Sequence, residues 1–255
     1  MRTLSIINLK GGVAKTISSI SIAYILSNVY NYKVLVIDND KQGDCSRAFN
    51  RRNSDGSGID EIMVSRHPDM NYLIQRTDYE GIDIITANMK LLRANKEVLM
   101  DQQRPQQNRL KKALEQIQDQ YDFCIVDNAP DINIATINAL VAANDVIVPI
   151  EIDDNTTEGI EELIEQIENT KEDLNPGLQF QGCFITKFDA RNEAHVQGAE
   201  LLKTMGYPLF ETKIRTSRKV SERTFAREPI SMYSKRSAAS IDYQNFVTEY
   251  LGKIQ

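Results

Sequence analysis

The chain has 255 residues, of which 41% are hydrophobic and 26% charged, and its formal net charge is −6. These values are typical of a globular protein with a substantial core, and the apolar runs fall far short of the roughly 20 residues that span a bilayer. The 3 cysteines are too dispersed for a disulfide scaffold or a metal cluster. The acidic balance excludes a uniformly positive surface but not a local basic patch.

Short runs rich in isoleucine and valine recur along the chain, and most are followed by segments with helical periodicity. The predicted strands occupy residues 3–8, 33–38, 82–87, 122–127, 145–150 and 178–186. Helical spacing of apolar residues occupies 15–30, 110–117 and 160–167. Because strands alternate with helices, the sequence predicts an α/β fold with a mainly parallel, twisted sheet flanked by helices on both faces. No linker-like break interrupts the pattern, so residues 1–255 are predicted to form a single domain.

The last predicted helix carries its large apolar residues on one face, which predicts that it packs on the core. Asp242 is assigned to the opposite, polar face, and Gly252 is predicted to end the helix. That polar face lacks the basic residues that an anionic membrane surface would attract. We therefore expect no membrane partner.

The first predicted strand leads through a glycine-containing loop directly into a helix. This arrangement turns backbone N–H groups and the helix N-terminus towards an anion. Lys15 would reach terminal phosphates, and the Thr16 hydroxyl would bind Mg²⁺. The strict phosphate-loop pattern has glycine where this chain has Leu9 and Ala14, so the motif alone has only moderate specificity.

Carboxylates follow two of the later strands at their carboxyl ends. Asp38 and Asp40 come at the end of the second strand, and Asp127 ends the strand at 122–127. In an open α/β sheet these ends line the ligand crevice. Aspartates beside a phosphate loop are suited to support Mg²⁺ and to orient an attacking water.

Together these segments resemble the ParA/MinD family of ATPases. The stretch "KGGVAKT" (10–16) resembles the deviant Walker A motif of that family, K-G-G-x-G-K-[ST]. The stretch "VIDNDKQGD" (36–44) is similar to the family's D-x-D-P-Q-G-N segment, and "IVDNAPD" (125–131) to its Walker B strand. The similarity continues through "IRTSRKVSERTFAREPISMYSKRSAASIDY" (214–243), and short ParA/Soj proteins without an N-terminal DNA-binding extension are the most similar members.

The resemblance implies a P-loop NTPase of the deviant Walker A type that binds ATP and Mg²⁺ and hydrolyses ATP weakly. Lys10 would be the signature lysine that crosses a dimer interface to the partner's phosphates. The implied catalytic residues are Lys10, Lys15 and Asp40, with Asp40 positioning the water. The implied nucleotide-binding residues are Gly11, Gly12, Val13, Ala14, Lys15, Thr16 and Ile17, and the implied metal site is Thr16, Asp38 and Asp127.

The chain departs from the family pattern at a few positions. Ala14 replaces a glycine, and a left-handed backbone there would cost about 1 kcal/mol or more. A threonine, a proline, an asparagine and a second proline of the family are replaced by Ile17, Lys41, Asp44 and Arg215. None of these changes removes a residue assigned to catalysis or to the metal, so nucleotide binding and slow hydrolysis are expected.

A basic segment lies near the C-terminus, with 8 basic and 2 acidic residues between positions 213 and 236. Such a patch binds nucleic-acid phosphates without reading bases. ParA proteins bind DNA non-specifically as ATP dimers through this region. The resemblance carries that role to Arg191, Arg218, Lys219 and Arg223.

The resemblance thus implies an ATPase for partition of a plasmid, mobile element or chromosome. It would form an ATP-dependent homodimer on non-specific DNA, and a ParB-like centromere-binding protein would stimulate hydrolysis. With no targeting segment ahead of the first strand, it would be cytoplasmic, and nucleoid-associated in the ATP state. Two alternatives stay open, namely a nucleotide-switched DNA-binding or regulatory protein with little hydrolysis, and a MinD-like positioning ATPase. The segment Thr186-Lys187-Phe188-Asp189 also keeps GTP open, because T-K-x-D reads guanine in related GTPases.

Overall fold

Alternating strands and helices build one seven-stranded sheet in the computed structural model, which describes residues 1–153 and 159–254. The strands are β1 (Arg2–Ile6), β2 (Val34–Asn39), β3 (Ile74–Arg76), β4 (Ile82–Ile85), β5 (Phe123–Asn128), β6 (Asp145–Glu151) and β7 (Gln179–Thr186). Their order in the sheet is β3-β4-β2-β5-β1-β6-β7, and all neighbours pair in parallel except β3 with β4. The mainly parallel α/β sheet predicted from the sequence is confirmed.

Helices cover both faces of this sheet. They are α1 (Lys15–Asn28), α2 (Asp44–Ala48), α3 (Ile59–Val64), α4 (Met70–Leu73), α5 (Lys90–Met100), α6 (Arg109–Glu115), α7 (Ile134–Ala142), α8 (Ile160–Asp173), α9 (Glu193–Thr204), α10 (Arg218–Ala226), α11 (Ile230–Tyr233) and α12 (Ala238–Ile254). None of the helices in the described part of the chain combines the length and the apolar character that crossing a bilayer requires.

The continuous apolar strands place side chains alternately on the two faces. Val34 and Val36 of β2 pack with α1 and α12 on one face, whereas Leu35 and Ile37 pack with α3, α5, α6 and α7 on the other. A third cluster joins β6 and β7 to α8 and α9. Because β2 and β5 are buried along their whole length, their polar terminal residues are held rigidly at the edge of the sheet.

Three details differ from the sequence predictions. Strand β3 was not predicted, because three residues on an antiparallel edge give too short a pattern. The last helix does not end at Gly252 but continues to Ile254. Asp242 is buried rather than on an exposed polar face, since its carboxylate accepts hydrogen bonds from the Arg215 guanidinium, at 2.7 Å for Nη2.

The carboxyl ends of three neighbouring strands bring the predicted site together. Asp38 at the end of β2 is the register partner of Asp127 on β5, and Asp127 is the partner of Ile6 on β1. The loop from β1 to α1 starts at the same edge. The topology therefore assembles the phosphate loop and both strand-end aspartates in one crevice, as the rule for open α/β sheets predicts.

Candidate nucleotide site

The loop between β1 and α1 has the backbone of an anion-binding loop. Gly12 and Ala14 both have positive φ, at 80° and 69°, which turns successive N–H groups in the same direction. Ala14 precedes α1 and makes no side-chain capping bond, so the first amides of the helix are left to an external acceptor. A Cβ built on Gly11 or Gly12 would meet no atom within 4 Å, so the loop has open space above it. These features fit a phosphate group.

Ala14 adopts the left-handed backbone conformation for which the sequence predicts an energetic cost. With φ 69° and ψ 25°, its methyl group crowds the following carbonyl. We expect Ala14→Gly to raise the free energy of unfolding of the nucleotide-free protein by about 0.5–1 kcal/mol, because glycine removes this strain. Urea unfolding measures the change.

The matched control for that substitution is Ala194→Gly in the first turn of α9, where the helical backbone suits alanine. This variant should be less stable than the parent by about 0.5–1 kcal/mol. Equal destabilisation by both substitutions would contradict the assignment of strain to Ala14.

Lys15 starts α1 and is only 7% exposed. Its Nζ donates to the backbone carbonyls of Asn8 at 2.9 Å and Lys10 at 2.8 Å, which folds the ammonium over the loop. Burial lowers the pKa of Lys15, and the negative charge of Asp127 opposes that change. The side chain is therefore a preorganised cation in the crevice that contains the loop.

Lys10 has different surroundings from Lys15. Its side chain is 36% exposed, and its Nζ forms an ion pair with the carboxylate of Asp153 on the far side of the loop. Its backbone N–H donates to Asn8 Oδ1 at 2.8 Å, so the backbone is fixed while the side chain extends outward. The two lysines of the motif thus occupy separate positions, with Lys15 buried against the loop and Lys10 at its rim.

Asp38 is fully buried at the end of β2, and α2 supplies its hydrogen bonds. Its Oδ2 accepts from the backbone N–H of Ser46 at 2.7 Å and from the Ser46 hydroxyl at 2.6 Å. Burial and the nearby charge of Asp127 raise the pKa of Asp38 to about 7, and the Ser46 bonds oppose the rise. A cation placed beside such a carboxylate stabilises its ionised form.

Asp127 is held from the opposite side by the first turn of α1. Its Oδ1 accepts from the Ser19 hydroxyl at 2.8 Å. Burial raises its pKa to about 6, while hydrogen bonds from Ser19 and Thr16 and the charge of Lys15 lower it.

Thr16, Asp38 and Asp127 therefore offer hard oxygen donors of the kind that Mg²⁺ prefers. Within residues 1–153 and 159–254 no group of three or more His, Cys, Asp or Glu side chains could hold a metal alone, so phosphate oxygens and waters would complete this site.

The raised carboxyl pKa values make stability depend on pH. Between the ordinary Asp pKa of about 4 and the folded value of about 7 for Asp38, the folded protein binds a proton that the unfolded chain has released. Protonated Asp38 therefore stabilises the folded protein at low pH, and this contribution is lost as the pH rises from about 4 to about 7. We expect Asp38→Asn, relative to the parent, to gain stability steadily from about pH 4 to pH 7, measured by urea unfolding without nucleotide or Mg²⁺.

The control for the pH effect is Asp44→Asn, which alters an exposed carboxylate paired with Arg47 near the same site. This variant should follow the pH profile of the parent. If the free energies of unfolding of Asp38→Asn and the parent differed by the same amount from about pH 4 to pH 7, the raised pKa of Asp38 would be contradicted.

Asp40 lies half-buried just beyond β2. Its Oδ1 accepts from the backbone N–H of Gln42 at 3.0 Å, and its own N–H donates to Asp38 Oδ1 at 3.2 Å. Lys41, the residue in place of proline, pairs with Asp131 at 3.7 Å. The carboxylate of Asp40 is thus positioned by local backbone bonds and retains acceptor capacity towards the crevice.

The segment Thr186-Lys187-Phe188-Asp189 is already engaged within the chain. The Thr186 hydroxyl lies 3.1 Å from the Val13 carbonyl and 3.2 Å from the Ile150 carbonyl, which ties the phosphate loop to β6 and β7. The Asp189 carboxylate accepts from the Arg191 guanidinium, at 3.1 Å for both Nε and Nη2. A guanine base would have to displace this pair to be read by Asp189.

The predicted DNA-binding residues lie outside the crevice. Arg218 and Lys219 begin α10 and are exposed, and Lys219 forms an ion pair with Glu222 at 2.6 Å. Arg191 is 91% exposed, although its guanidinium faces Asp189. Arg223 lies outside the residues whose side chains the structure describes. Ion pairs at such exposed positions contribute little energy and would yield to phosphates.

The sequence reasoning missed several side chains that organise the site. These are Asn8, Ser19, Ser46 and Asp153. Thr186 was named only as part of a segment that could read guanine, and its contact with the phosphate loop was not predicted. Ser19 lies one helical turn after Lys15, and this spacing was a usable signal. The contacts of Asp153 and Thr186 join distant parts of the chain, so no local pattern could indicate them.

Comparison with known proteins finds relatives over nearly the whole chain. Residues 1–180 match the model of a family described as an AAA domain. The chain is 30% identical to the chromosome partitioning protein ParA of Caulobacter vibrioides, covering 99% of this chain and 95% of that protein. It is 29% identical to the sporulation initiation inhibitor protein Soj of Bacillus subtilis, covering 97% of each.

Among solved structures, a cobyrinic acid a,c-diamide synthase from Mycobacterium smegmatis with a bound ATP analogue and magnesium has a TM-score of 0.84 to this chain. The two are 27% identical over 98% of this chain and 94% of that one. Its ligands agree with ATP and Mg²⁺ as the predicted cofactors. With the fold, the crevice and relatives matched over nearly their full length in agreement, the chain belongs to the ParA/Soj family of partition ATPases.

Proposed function

We propose that this chain is a Mg²⁺-dependent ATPase of slow turnover that partitions a plasmid, a mobile element or a chromosome. In its ATP state it forms a homodimer that binds DNA non-specifically, and hydrolysis stimulated by a ParB-like centromere-binding protein releases it. Residues 1–255 act as one domain in this proposal, in the cytoplasm and on the nucleoid in the ATP state. The observation that carries the proposal is the separate placement of Lys15 and Lys10, one buried and one at the rim.

The crevice residues hold the nucleotide and the metal in this proposal. Residues 11–17 surround the phosphates, and Lys15 places its ammonium against the terminal ones. Thr16 provides a hydroxyl ligand to Mg²⁺, while Asp38 and Asp127 support the ion from the strand ends. When bound, Mg²⁺ neutralises phosphate charge. The same cation would stabilise the ionised forms of the two buried aspartates, whose pKa values are raised mainly by burial.

Two further residues act on the reaction itself in this proposal. Asp40 orients the attacking water through its remaining carboxylate oxygens, because its backbone bonds fix the direction of the side chain. Lys10 leaves Asp153 and extends across the dimer interface to the partner's phosphates. Since the ion pair with Asp153 is half-exposed, breaking it costs little compared with the gain from a phosphate. The dimer then depends on the nucleotide.

DNA binding in this proposal uses Arg191, Arg218, Lys219 and Arg223, which a dimer would present in two copies. The test measures binding to a random-sequence duplex by fluorescence anisotropy with no nucleotide, ADP, ATP or GTP, each with Mg²⁺. We expect binding with ATP alone. We expect Arg218→Gln combined with Lys219→Gln to weaken this binding. The logarithmic salt slope should fall by about 3.6 per bound dimer, because two phosphate contacts are lost on each protomer and each removes about 0.9.

The matched control for the DNA test is Arg93→Gln combined with Lys111→Gln, which removes the same charge from exposed positions on α5 and α6. The control should keep the salt slope of the parent. Binding that is equal in all four nucleotide conditions, or absent in all, would contradict the DNA switch. Binding with GTP alone would assign GTP as the nucleotide through Asp189.

One observation favours the alternative of a nucleotide-switched protein with little hydrolysis. Ala14 places a methyl group and a strained backbone where the phosphates must be enclosed. If ATP drives DNA binding but no phosphate is released, even with DNA and a partner present, the chain is a binding switch rather than a partition ATPase.

A further inference from the structure

A cavity of about 230 Å³, separate from the nucleotide crevice, lies between the end of α3 and the start of α6. Ile62 and Ala113, which line it, belong to the cluster on the face of the sheet that packs α3, α5, α6 and α7. The DNA-binding residues predicted on α10 lie on the opposite face, where Val220 packs with α1 and α12. This cavity is therefore separate from that surface, and it shares no lining residue with the phosphate loop.

The lining of this cavity is strongly basic for a chain with a net charge of −6. Its cationic or titratable side chains are Arg66, His67, Arg104, Arg109 and Lys112, and no aspartate or glutamate lines it. Such a concentration of positive charge in a concave surface with low-dielectric walls attracts anions.

Two of the arginines are fixed by the end of α3. Arg104 donates to Asp101 Oδ2 and to the Ser65 and Val64 carbonyls, at 2.8, 3.0 and 2.8 Å. Arg109 donates to the same Asp101 oxygen and to the Met63 carbonyl, at 2.8 and 2.6 Å, and more weakly to the Pro105 carbonyl. Because a guanidinium has five N–H donors, each keeps donors for a ligand.

The charge of these two arginines is not balanced, since they share a single carboxylate. Both hold the pKa of Asp101 at about 2, and the pKa of Arg109 is lowered by burial and by the charge of Arg104. Of the remaining cations, Arg66 donates to the neutral Gln103 side chain at 3.1 Å. Within the described residues neither Arg66 nor Lys112 forms an ion pair.

The start of α6 does not itself provide the anion site. The N–H groups of Arg109 and Leu110 both donate to Asn138 Oδ1, at 2.8 and 3.2 Å, and are already satisfied. The side chains alone carry the positive charge. Two guanidinium groups held by hydrogen bonds lie at the base of the cavity, and the exposed cations Arg66 and Lys112 lie at its rim. Rigid donors below and adaptable ones above are suited to enclosing a phosphate, since guanidinium groups match phosphate oxygens in pairs.

We propose that this cavity binds the phosphoryl group of a small molecule, either free inorganic phosphate or diphosphate or the phosphate of a monoester. The volume of about 230 Å³ corresponds to roughly eight water molecules at about 30 Å³ each, which fits a phosphoryl group and part of the molecule that carries it. Arg104 and Arg109 contact the phosphoryl oxygens from below, and Arg66 and Lys112 close over them.

The experiment uses the full chain with its nucleotide site already loaded with a non-hydrolysable ATP analogue and Mg²⁺, after removal of the excess. Inorganic diphosphate and AMP are titrated separately by calorimetry, and their relative affinities identify the source of the phosphoryl group. We expect Arg66→Gln combined with Lys112→Gln to weaken the binding of the preferred anion by about tenfold or more, because two charge-assisted hydrogen bonds are lost.

The control is again Arg93→Gln with Lys111→Gln, which should change this affinity by less than about twofold. An unchanged urea midpoint verifies that both double variants are folded. The proposal is overturned if neither anion binds the loaded protein, or if both double variants weaken binding equally. It is also overturned if the Arg66/Lys112 variant loses affinity for duplex DNA while neither small anion binds, since the surface would then contact nucleic acid.

Discussion

Lys15→Gln is expected to reduce the affinity of the chain for ATP with Mg²⁺ by about 100-fold or more. The ammonium of Lys15 is buried and held by the carbonyls of Asn8 and Lys10, so it does not need to be ordered when a phosphate arrives. In a desolvated crevice the loss of such a charge-assisted bond is far more costly than at the surface. Calorimetric titration with a non-hydrolysable ATP analogue measures the change.

Lys10→Gln provides the matched control, because it makes the same chemical change in the same loop. Its side chain points to Asp153 at the rim, so nucleotide affinity of the monomer should stay within about threefold of the parent. The variant should, however, no longer form a dimer with ATP when examined by light scattering. If Lys15→Gln binds ATP normally, or if Lys10→Gln dimerises as the parent does, the corresponding lysine has been given the wrong role.

Asp40→Ala should lower the rate of ATP hydrolysis by about 100-fold while leaving ATP affinity nearly unchanged. The side chain is the half-buried carboxylate beyond β2 that local backbone bonds hold in place, and it is not among the proposed metal ligands. The substitution removes the carboxylate proposed to orient the water, and the proposed phosphate-binding residues are unchanged. Steady-state phosphate release in the presence of DNA and Mg²⁺ measures the rate.

Asp44→Ala is the control for this experiment. Asp44 lies in the same segment, but its exposed carboxylate pairs only with Arg47 in the described part of the chain. Hydrolysis by this variant should equal that of the parent. A normal rate for Asp40→Ala would refute the water-positioning role, and equal losses in the two variants would indicate a general disturbance of the segment.

The sequence was sufficient to predict the fold and the sheet edge at which the candidate site residues meet, because both depend on local patterns. Continuous apolar runs predicted six of the strands, and carboxylates that follow strands predicted which edge of the sheet they share. The energetic cost of alanine at position 14 was predicted only for the case of a left-handed backbone, because the residue type alone does not determine φ. The structure resolves that condition with φ 69°.

Contacts between distant segments account for what could not be predicted. The helical pattern assigns Asp242 to a polar surface, yet its carboxylate is buried and pairs with the half-exposed guanidinium of Arg215. Asp153, two residues beyond β6, and Thr186, at the end of β7, contact the phosphate loop from positions that are far away in sequence. Periodicity describes which face of an element is apolar, but it contains no information on which polar groups meet across the fold.

The hydroxyl of Thr186, between the Val13 and Ile150 carbonyls, has a consequence for the kinetics of nucleotide capture. Because it anchors the phosphate loop to the sheet, we expect the loop to be ordered before its ligand binds. Binding then carries a small penalty in conformational entropy. Association should be limited by diffusion into the crevice, and the residence time of the nucleotide, rather than its rate of entry, would set how long each chain remains switched on.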